Sequence, residues 1–121
     1  MILVDSSVWI EHLRRHEHDL AALLEVGLVM CHPFVIGEIA CGHLSRREYM
    51  LAELAQLAQA PVASHDEAMG FLSGRALNGR GIGWVDIHLL ASTALSQGAR
   101  LWTKDKRLAA VAGDLGLAHS G

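Results

Sequence analysis

The sequence contains few of the features that mark secreted or membrane proteins. It has only two cysteines, Cys31 and Cys41, and they form no C-x-x-C pair, so we expect neither a disulfide framework nor a zinc site built from cysteines alone. The longest stretch without Asp, Glu, Lys or Arg is the 13 residues from Ile87 to Ala99, whereas a membrane span needs about 20 apolar residues. The N-terminus has no basic region and no signal-peptide pattern. These absences favour a reduced, cytoplasmic protein without a membrane segment.

The chain also lacks internal repeats and low-complexity tracts, and what remains is typical of one folded unit. Its 121 residues are 51% hydrophobic, which is enough apolar material to bury a core. We therefore expect a single domain spanning residues 1–121.

Short apolar segments alternate with segments of helical periodicity. Strands are predicted at 2–4, 28–30 and 101–102, with another beginning at Val62 and an edge strand at 117–118. Helices are predicted at 8–15, 18–26, 33–42 and 86–97, and further helices begin at Ser45, Ser64 and Asp105. Ser6 or Ser7 is the expected N-cap of the first helix, and Ser45-Arg46-Arg47-Glu48 and Ser64-His65-Asp66-Glu67 are predicted capping boxes. This alternation predicts an α/β protein, a three-layer α/β/α sandwich around a central parallel sheet.

Four acidic residues stand apart from the other acids: Asp5, Glu38, Asp86 and Asp105. The first three have apolar neighbours and no basic residue at helical spacing, and burying an isolated carboxylate is costly unless a cation compensates it. Ligands of parallel sheets bind beyond the carboxyl ends of the strands, and both Asp5 and Asp105 follow predicted strands. A shared site with carboxylate ligands alone favours magnesium or manganese, and therefore phosphate chemistry.

Each of these acids also has a simpler interpretation. Asp5, Asp86 and Asp105 occupy positions where an aspartate commonly caps a helix, and Asp105 lies between two lysines. Glu38 suits the partly exposed edge of an apolar helix face. We favour the shared site because phosphodiester hydrolysis needs such a set, either around two bridged divalent ions or around one ion with an acid as general base.

The net charge of −3 does not exclude a nucleic-acid partner. Without the four acids above, nine acidic residues remain against ten lysines and arginines. Lys104, Lys106 and Arg107 surround Asp105, and Arg80 is a further candidate for contacting RNA phosphate groups. Ordinary surface charges would give the same pattern.

Histidine and tryptophan residues give weaker signals. His12 and His16 are one helical turn apart and can bind a metal, with His18 close by, although solvent-facing histidines are commoner. The three tryptophans are Trp9, Trp84 and Trp102. They can stack on nucleobases, but their apolar surroundings favour packing in the core or at a subunit interface.

Four short segments contain the four acids and span nearly the whole chain: Ile2-Leu3-Val4-Asp5-Ser6-Ser7-Val8-Trp9-Ile10, Val35-Ile36-Gly37-Glu38-Ile39, Trp84-Val85-Asp86-Ile87-His88-Leu89-Leu90-Ala91 and Leu101-Trp102-Thr103-Lys104-Asp105-Lys106-Arg107-Leu108. In this order they resemble the PIN-domain family, specifically the VapC-type toxin ribonucleases of type II toxin–antitoxin systems. The resemblance implies an α/β/α fold, a magnesium or manganese site and hydrolytic cleavage of RNA. It makes Asp5 and Asp86 the principal metal ligands, with Glu38 and Asp105 completing the site directly or through water.

The resemblance also implies supporting residues and partners. Ser7 matches a small polar residue near the metal, and Thr103 precedes Asp105 as in many relatives. Trp84 departs from the commoner pattern, in which a smaller or polar residue precedes the Asp86 segment. The implied partners are an RNA substrate, a VapB-like antitoxin that blocks the site and a second copy of the chain, and the surplus of apolar residues also favours a homodimer.

Two other function classes remain open from the sequence. A non-catalytic PIN-like module would bind RNA or a protein without cleaving it, but it would have no reason to keep the costly acids. A small-molecule phosphatase with an aspartate nucleophile usually has Asp-x-Asp after its first strand, and Asp5-Ser6-Ser7 has serine at the second of these positions.

Overall fold

The computed structural model describes residues 1–120, so Gly121 of the expected domain lies outside the described residues. Within residues 1–120 the chain forms four strands, β1 (Ile2–Val4), β2 (Val29–Cys31), β3 (Ala58–Gln59) and β4 (Arg100–Trp102). It also forms seven helices there, α1 (Ser6–Arg15), α2 (His18–Glu25), α3 (Pro33–Ala40), α4 (Arg47–Gln56), α5 (His65–Gly74), α6 (Trp84–Leu95) and α7 (Lys106–Asp114). None of these seven helices is both long enough and apolar enough to cross a membrane.

All four strands run parallel in one sheet with the order β3-β2-β1-β4. β1 lies in the interior of the sheet, where Leu3 pairs with Met30 of β2 on one side and with Leu101 of β4 on the other. Parallel strands need crossover connections, and the connecting helices cover the faces of the sheet. The predicted three-layer α/β/α sandwich is therefore confirmed.

The core explains why β1 and α6 are so apolar. Leu3 and Val4 are completely buried, and α6 is buried along the consecutive residues 87–93. A helix that is buried all round packs inside a domain, which places α6 centrally. Two of its buried polar side chains are satisfied internally: Thr93 Oγ1 donates to the Leu89 carbonyl at 2.7 Å, and Ser92 Oγ lies 3.2 Å from His32 Nε2.

The predicted capping box at Ser45 is wrong. Helix α4 begins at Arg47, after Arg46 adopts a left-handed conformation with φ 52° and ψ 47°, and no side chain caps this helix. These residues belong to the turn that follows α3. Arg47 stabilises this turn by donating from Nη1 to the Ala40 carbonyl at 2.6 Å.

The strand expected from Val62 is also misplaced. β3 precedes Pro61 instead of following it, and the Ala60 N–H donates to the Cys31 carbonyl at 2.8 Å, which continues the pairing with β2. The strand forms before Pro61 because these earlier residues supply the amide hydrogens that the proline lacks. The edge strand expected at 117–118 is reduced to a single parallel bridge between Leu101 and Ala118.

Helix starts show one success and one error. In α5 the predicted box is present, since Ser64 Oγ accepts the Glu67 N–H at 3.0 Å and Glu67 Oε1 accepts the Ser64 N–H at 2.8 Å. In α1, Ser6 and Ser7 lie inside the first turn and Asp5 occupies the N-cap position, so neither serine is the N-cap.

Candidate functional site

The candidate site lies at the carboxyl edge of the sheet, where the order of the strands reverses at β1. From β1 the chain adds β2 and β3 on one side, and β4 returns to the other side of β1. Ligands of parallel sheets bind outside the carboxyl ends of the strands at such a switch point. Asp5 directly follows β1 and Thr103 directly follows β4, and the Asp5 N–H donates to the Trp102 carbonyl at 2.9 Å.

Two hydroxyl groups hold the carboxylate of Asp5, which is 6% exposed. Its Oδ2 accepts hydrogen bonds from Ser7 Oγ at 2.8 Å and from Thr103 Oγ1 at 2.7 Å. Ser7 Oγ accepts the Lys104 N–H at 3.0 Å, and Thr103 Oγ1 accepts the Asp105 N–H at 3.0 Å. Each hydroxyl therefore accepts from the backbone and directs its single proton to Asp5. Asp5 makes no side-chain capping bond to α1, so its carboxylate is oriented into the site and away from a capping role.

Asp105 caps α7, as the simpler interpretation of the sequence proposed. Its Oδ1 accepts the backbone N–H groups of Arg107 at 2.9 Å and Leu108 at 3.0 Å, and the residue is exposed. The cap leaves Oδ2 unused, and the negative charge of Asp105 is close enough to act on Asp86. Capping and membership of the acidic group are therefore compatible in this residue.

Glu38 projects from α3 towards α1, where its Oε1 accepts a hydrogen bond from Ser6 Oγ at 3.1 Å. The residue as a whole is exposed, but neighbouring protein atoms desolvate its carboxyl group. This burial raises the pKa of Glu38, the Ser6 hydrogen bond opposes the rise, and the charges of Asp5 and Asp86 add to it.

Asp86 lies in the first turn of α6, which begins at Trp84, two residues earlier than predicted. Its Oδ2 accepts the Gly83 N–H at 3.0 Å, so the side chain bonds at the start of its own helix. Burial raises the pKa of Asp86, the Gly83 hydrogen bond opposes the rise, and the charges of Asp5 and Asp105 add to it.

The four acids share one neighbourhood, but they are not all buried as the sequence argument assumed. Asp5 is buried and Asp86 is partly buried, whereas Glu38 and Asp105 are exposed. Asp5 raises the pKa of both Glu38 and Asp86 after the larger effect of burial, and those two also feel other members of the group. The four acids therefore differ in burial, and what they share is negative charge at the edge of the sheet.

The donor set is that of a hard divalent cation. Each carboxylate has one oxygen that accepts a hydrogen bond and a second oxygen without one among residues 1–120. Within that part of the chain, no three His, Cys, Asp or Glu side chains already converge to enclose a metal ion. All the available donors are oxygens, however, which suits magnesium or manganese. A cation would relieve the mutual repulsion of the acids, which adds to the larger effect of burial in raising the pKa of Glu38 and of Asp86.

Two of the four basic candidates are held in ion pairs. Arg80 Nη2 lies 2.7 Å from Asp114 Oδ2, and Lys104 Nζ lies 2.7 Å from Glu17 Oε2. Any phosphate bound by Arg80 or Lys104 has to compete with these carboxylates.

Lys106 and Arg107 begin α7, next to Asp105, and both are exposed. Arg107 also crosses the loop before α6: a methyl group placed on Gly81 would stand 2.9 Å from Arg107 Cδ and 3.0 Å from its Nη1. The absence of a side chain at Gly81 thus lets the guanidinium lie against this loop. Arg107 connects α7 with the loop that leads to Asp86.

Two contacts near the site were not predicted from the sequence. Ser6 was predicted only as a possible N-cap of the first helix, but its hydroxyl bonds Glu38. Its position directly after Asp5 was the one sequence signal for this contact. Glu17 lies in an ordinary polar segment of the sequence, yet it pairs with Lys104, and its N–H donates to His12 Nδ1 at 2.9 Å. These bonds join the α1–α2 turn to the loop after β4.

The histidine cluster and the tryptophans, which gave the weaker sequence signals, have different surroundings in the structure. The ring of His16 contacts those of His12, tilted at 5.2 Å, and His18, edge-to-face at 5.0 Å, and the three form no metal-binding group within residues 1–120. Trp9 is 4% exposed and packs in the core, as expected, whereas Trp84 is 39% exposed.

A groove of about 580 Å³ opens on the far side of Glu38, between α1 and α4. Ile10, Leu13 and Ile39 contribute apolar walls, and Arg14 lies at the same surface. Of the four acids only Glu38 lines it, so the groove adjoins the acidic site without being part of it.

The family model described as the PIN domain matches residues 2–114 of this chain. The chain belongs to the PIN-domain family. Two relatives, both described as ribonuclease VapC32, come from Mycobacterium tuberculosis strains CDC 1551 / Oshkosh and ATCC 25618 / H37Rv. Each is 52% identical over 118 residues, covering 98% of this chain and 95% of the relative. The resemblance inferred from the four acidic segments is thus confirmed.

A solved structure carries the same PIN-type architecture. The crystal structure of PAE2754 from Pyrobaculum aerophilum aligns with a TM-score of 0.62, covering 90% of this chain and 82% of that chain, at 19% sequence identity. At this identity the likeness supports the fold alone.

Proposed function

We propose that this PIN-domain protein is a metal-dependent endoribonuclease, and that it acts as the toxin of a toxin–antitoxin pair. The observation that carries the proposal is the meeting of Asp5, Glu38, Asp86 and Asp105 at the carboxyl edge of the sheet, in a chain 52% identical to ribonuclease VapC32 along nearly its whole length. We propose residues 1–121 as one nuclease domain, with these acids as its catalytic and metal-binding set.

Magnesium or manganese fits the donor chemistry of the four acids. When bound, such an ion supplies a Lewis acid that stabilises charge on phosphoryl oxygens and makes hydroxide available near neutral pH. Asp5 and Asp86 are the proposed principal ligands, with Glu38 and Asp105 completing the site directly or through water.

The residues of the chain have distinct proposed roles in the reaction. Ser7 and Thr103 fix the orientation of Asp5 by occupying its Oδ2, which leaves Oδ1 for the cation. Glu38 is not one of the two principal ligands, and burial raises its pKa, so it is the proposed proton acceptor for an attacking water.

RNA phosphates are proposed to contact the basic residues around Asp105. Lys106 and Arg107 are exposed at the start of α7, where backbone N–H groups also favour negative charge. Lys104 and Arg80 can join them when phosphate replaces Glu17 and Asp114 as the partner.

The other partners are proposed from the relatives. A VapB-like antitoxin would block the acidic site, and a homodimer would be the working form of the toxin. We propose the cytoplasm as its place of action, because the RNA substrate is found there.

Cleavage of a total RNA pool tests the proposal. The purified chain, free of antitoxin, is incubated with magnesium, with manganese or with a chelator, beside an Asp5→Asn variant. We expect discrete RNA fragments that require a divalent ion and disappear in the variant. A folded protein that binds RNA but cleaves none with either ion would indicate a non-catalytic binding module, and hydrolysis of small phosphate esters alone would indicate a phosphatase.

A further inference from the structure

A row of four rings runs across the surface beside the acidic site. Phe34 contacts His88 with ring centroids 4.9 Å apart, His88 contacts Trp84 at 4.8 Å, and Trp84 contacts His65 at 5.4 Å. The first two contacts are edge-to-face, the arrangement that aromatic pairs prefer. We call these four residues the aromatic row.

The aromatic row lies on the same two helices as two of the acids. Phe34 and Glu38 are four residues apart in α3 and so share one face of that helix, about 6 Å apart at their Cβ atoms. Trp84 and Asp86 both belong to the first turn of α6. Trp84 and Asp86 are two residues apart, so their side chains leave α6 in different directions, but both leave the same turn. A strand whose phosphate lies at the acids would therefore pass beside the turn that carries Trp84.

The exposed fraction differs sharply between neighbouring rings of the aromatic row. Phe34 is 37% exposed and Trp84 is 39% exposed, whereas His88 between them is 5% exposed. The Nδ1 atom of His88 is buried with no hydrogen-bond partner in the described part of the chain, which costs stability. Packing alone would favour an apolar ring at position 88 and greater burial of its two neighbours. The row gives up stability while leaving two large rings partly open to solvent.

We propose that Trp84, with Phe34, forms a stacking platform for nucleobases of the RNA strand on either side of the cleaved phosphodiester bond. The inference rests on the proposed ribonuclease function, and it adds two residues that position and select the substrate. His88 and His65 both contact the Trp84 ring, so little side-chain freedom is lost when a base binds. Stacking on such a platform tolerates every base, because all bases have a π-face.

Charge favours RNA over a second copy of the chain as the occupant. A two-fold interface centred on Trp84 would bring the same patch of both subunits together, and with it two sets of carboxylates that include Glu38 and Asp86. Like charges facing one another across an interface cost several kcal/mol. A divalent cation lessens the repulsion in both cases, but only an RNA strand brings phosphate oxygens that can themselves bind the cation. Such a strand would bring its bases beside the rings.

The test compares short RNA oligonucleotides with abasic oligonucleotides that keep the same sugar-phosphate backbone. The protein keeps all four acids and is tested with magnesium as wild type, Trp84→Ala and Trp84→Phe, and the oligonucleotides carry linkages that resist hydrolysis so that RNA is not consumed. Dye-labelled oligonucleotides report binding through fluorescence anisotropy. We expect Trp84→Ala to weaken binding of the base-bearing RNA by about 5- to 150-fold, Trp84→Phe to retain most of the affinity, and neither substitution to change binding of the abasic strand.

Several outcomes overturn the platform. Equal losses for base-bearing and abasic strands, no loss in Trp84→Ala, or no RNA binding by the wild-type protein would each do so. A change of oligomeric state in Trp84→Ala, seen by sedimentation, without base-dependent binding would assign the row to a subunit interface instead.

Wild-type cleavage of the RNA pool is measured in parallel and separates the two proposals. Metal-dependent cleavage without base-dependent binding would leave the nuclease standing and remove the platform. Base-dependent binding without cleavage would keep the platform and remove the nuclease.

Discussion

Two hydroxyl groups determine how Asp5 is presented. Ser7 and Thr103 each accept a backbone N–H and each give their single proton to Asp5 Oδ2, at 2.8 and 2.7 Å. Hydrogen bonds to a charged group contribute about 1.5–3 kcal/mol each, more than neutral ones. The arrangement also ties the loop after β4 to the end of β1, so one side chain at position 103 serves both the fold and the site.

Removing the hydroxyl of Thr103 should therefore disable the site more than the fold. Thr103→Val keeps the shape of the side chain, but it leaves the Asp105 N–H without its partner and Asp5 Oδ2 with the bond from Ser7 alone. We expect metal-dependent RNA cleavage to fall by roughly 10- to 100-fold, the equivalent of about 1.5–3 kcal/mol. Initial rates of fragment formation measure the change, and Thr103→Ser is the matched control that restores the hydroxyl. Wild-type rates in Thr103→Val would show that Asp5 does not need this bond.

Glu38 should make stability depend on pH in a direction opposite to that of an ion-paired acid. Burial, followed by the charges of Asp5 and Asp86, raises its folded pKa above the ordinary 4.5. Between these two pKa values the folded state binds more protons than the unfolded state, so stability falls as pH rises through that window.

The substitution Glu38→Gln removes this penalty and keeps an oxygen to accept from Ser6. We expect the variant to be more stable than wild type at pH 7 in chelator, by less than about 1 kcal/mol because the residue is exposed and screened, and equally stable at low pH. Urea unfolding between pH 4 and 8 measures the difference, with Glu25→Gln as a control for charge loss outside the acidic site. A variant less stable than wild type at pH 7 would contradict the argument.

The loop before α6 acts at the scale of an element, because it sets where Asp86 and Arg107 lie. Gly79 and Gly81 both adopt positive φ, at 79° and 83°, but only Gly81 lies against Arg107. Alanine at either position should cost about 1–2 kcal/mol through backbone strain. Gly81→Ala should in addition displace Arg107 and weaken RNA binding, whereas Gly79→Ala should leave binding unchanged.

Urea midpoints of the two variants measure the shared strain, and RNA affinity across a salt series measures the difference between them. If Arg107 contacts a phosphate, Gly81→Ala should also lower the salt dependence of binding. Equal RNA affinity in the two alanine variants would show that the position of Arg107 against this loop is irrelevant to the substrate.

At the same scale, local patterns predicted some elements well and others poorly. The apolar runs of β1 and β4, the Ser64 box and the Pro33 helix start were predictable because the deciding residues are adjacent in sequence. The capping box predicted at Ser45 is absent because the turn from α3 to α4 needs a left-handed residue at Arg46, and nothing local in the sequence encodes that geometry.

The candidate site was predictable as a list of acids but not as a set of bonds. Apolar flanks singled out Glu38 and Asp86, and the strand-end rule placed Asp5, whereas their expected burial was right in full only for Asp5. The contacts of Ser6 with Glu38 and of Thr103 with Asp5 join residues 32 and 98 positions apart, so only the folded sheet reveals them.

At the scale of the whole molecule, the four acids proposed to bind metal carry like charges, so we expect cations to affect its stability. The acids come from β1, α3, α6 and the start of α7, so a cation bound among them would bridge elements that span nearly the entire chain. Any ligand that binds only the folded state stabilises it by mass action, by about 2.7 kcal/mol at 100 times its Kd. Magnesium or manganese should therefore raise the Tm of the wild-type protein, and the rise should grow with metal concentration.

Removing the charge of Asp86 should stabilise the protein in chelator and should also abolish the rise in Tm that metal produces. Asp86→Asn keeps an oxygen for the Gly83 N–H but removes a proposed ligand, so we expect a Tm that is higher than wild type in chelator and nearly insensitive to metal. Asp66→Asn, an exposed acid of α5 outside the site, should keep the full response to metal and is the matched control. Thermal unfolding at several metal concentrations gives the result without any RNA. Because the two effects have opposite signs, the Tm curves of wild type and Asp86→Asn should cross as the metal concentration rises. Parallel curves that never cross would mean that Asp86 is not a ligand, whatever the RNA assay shows.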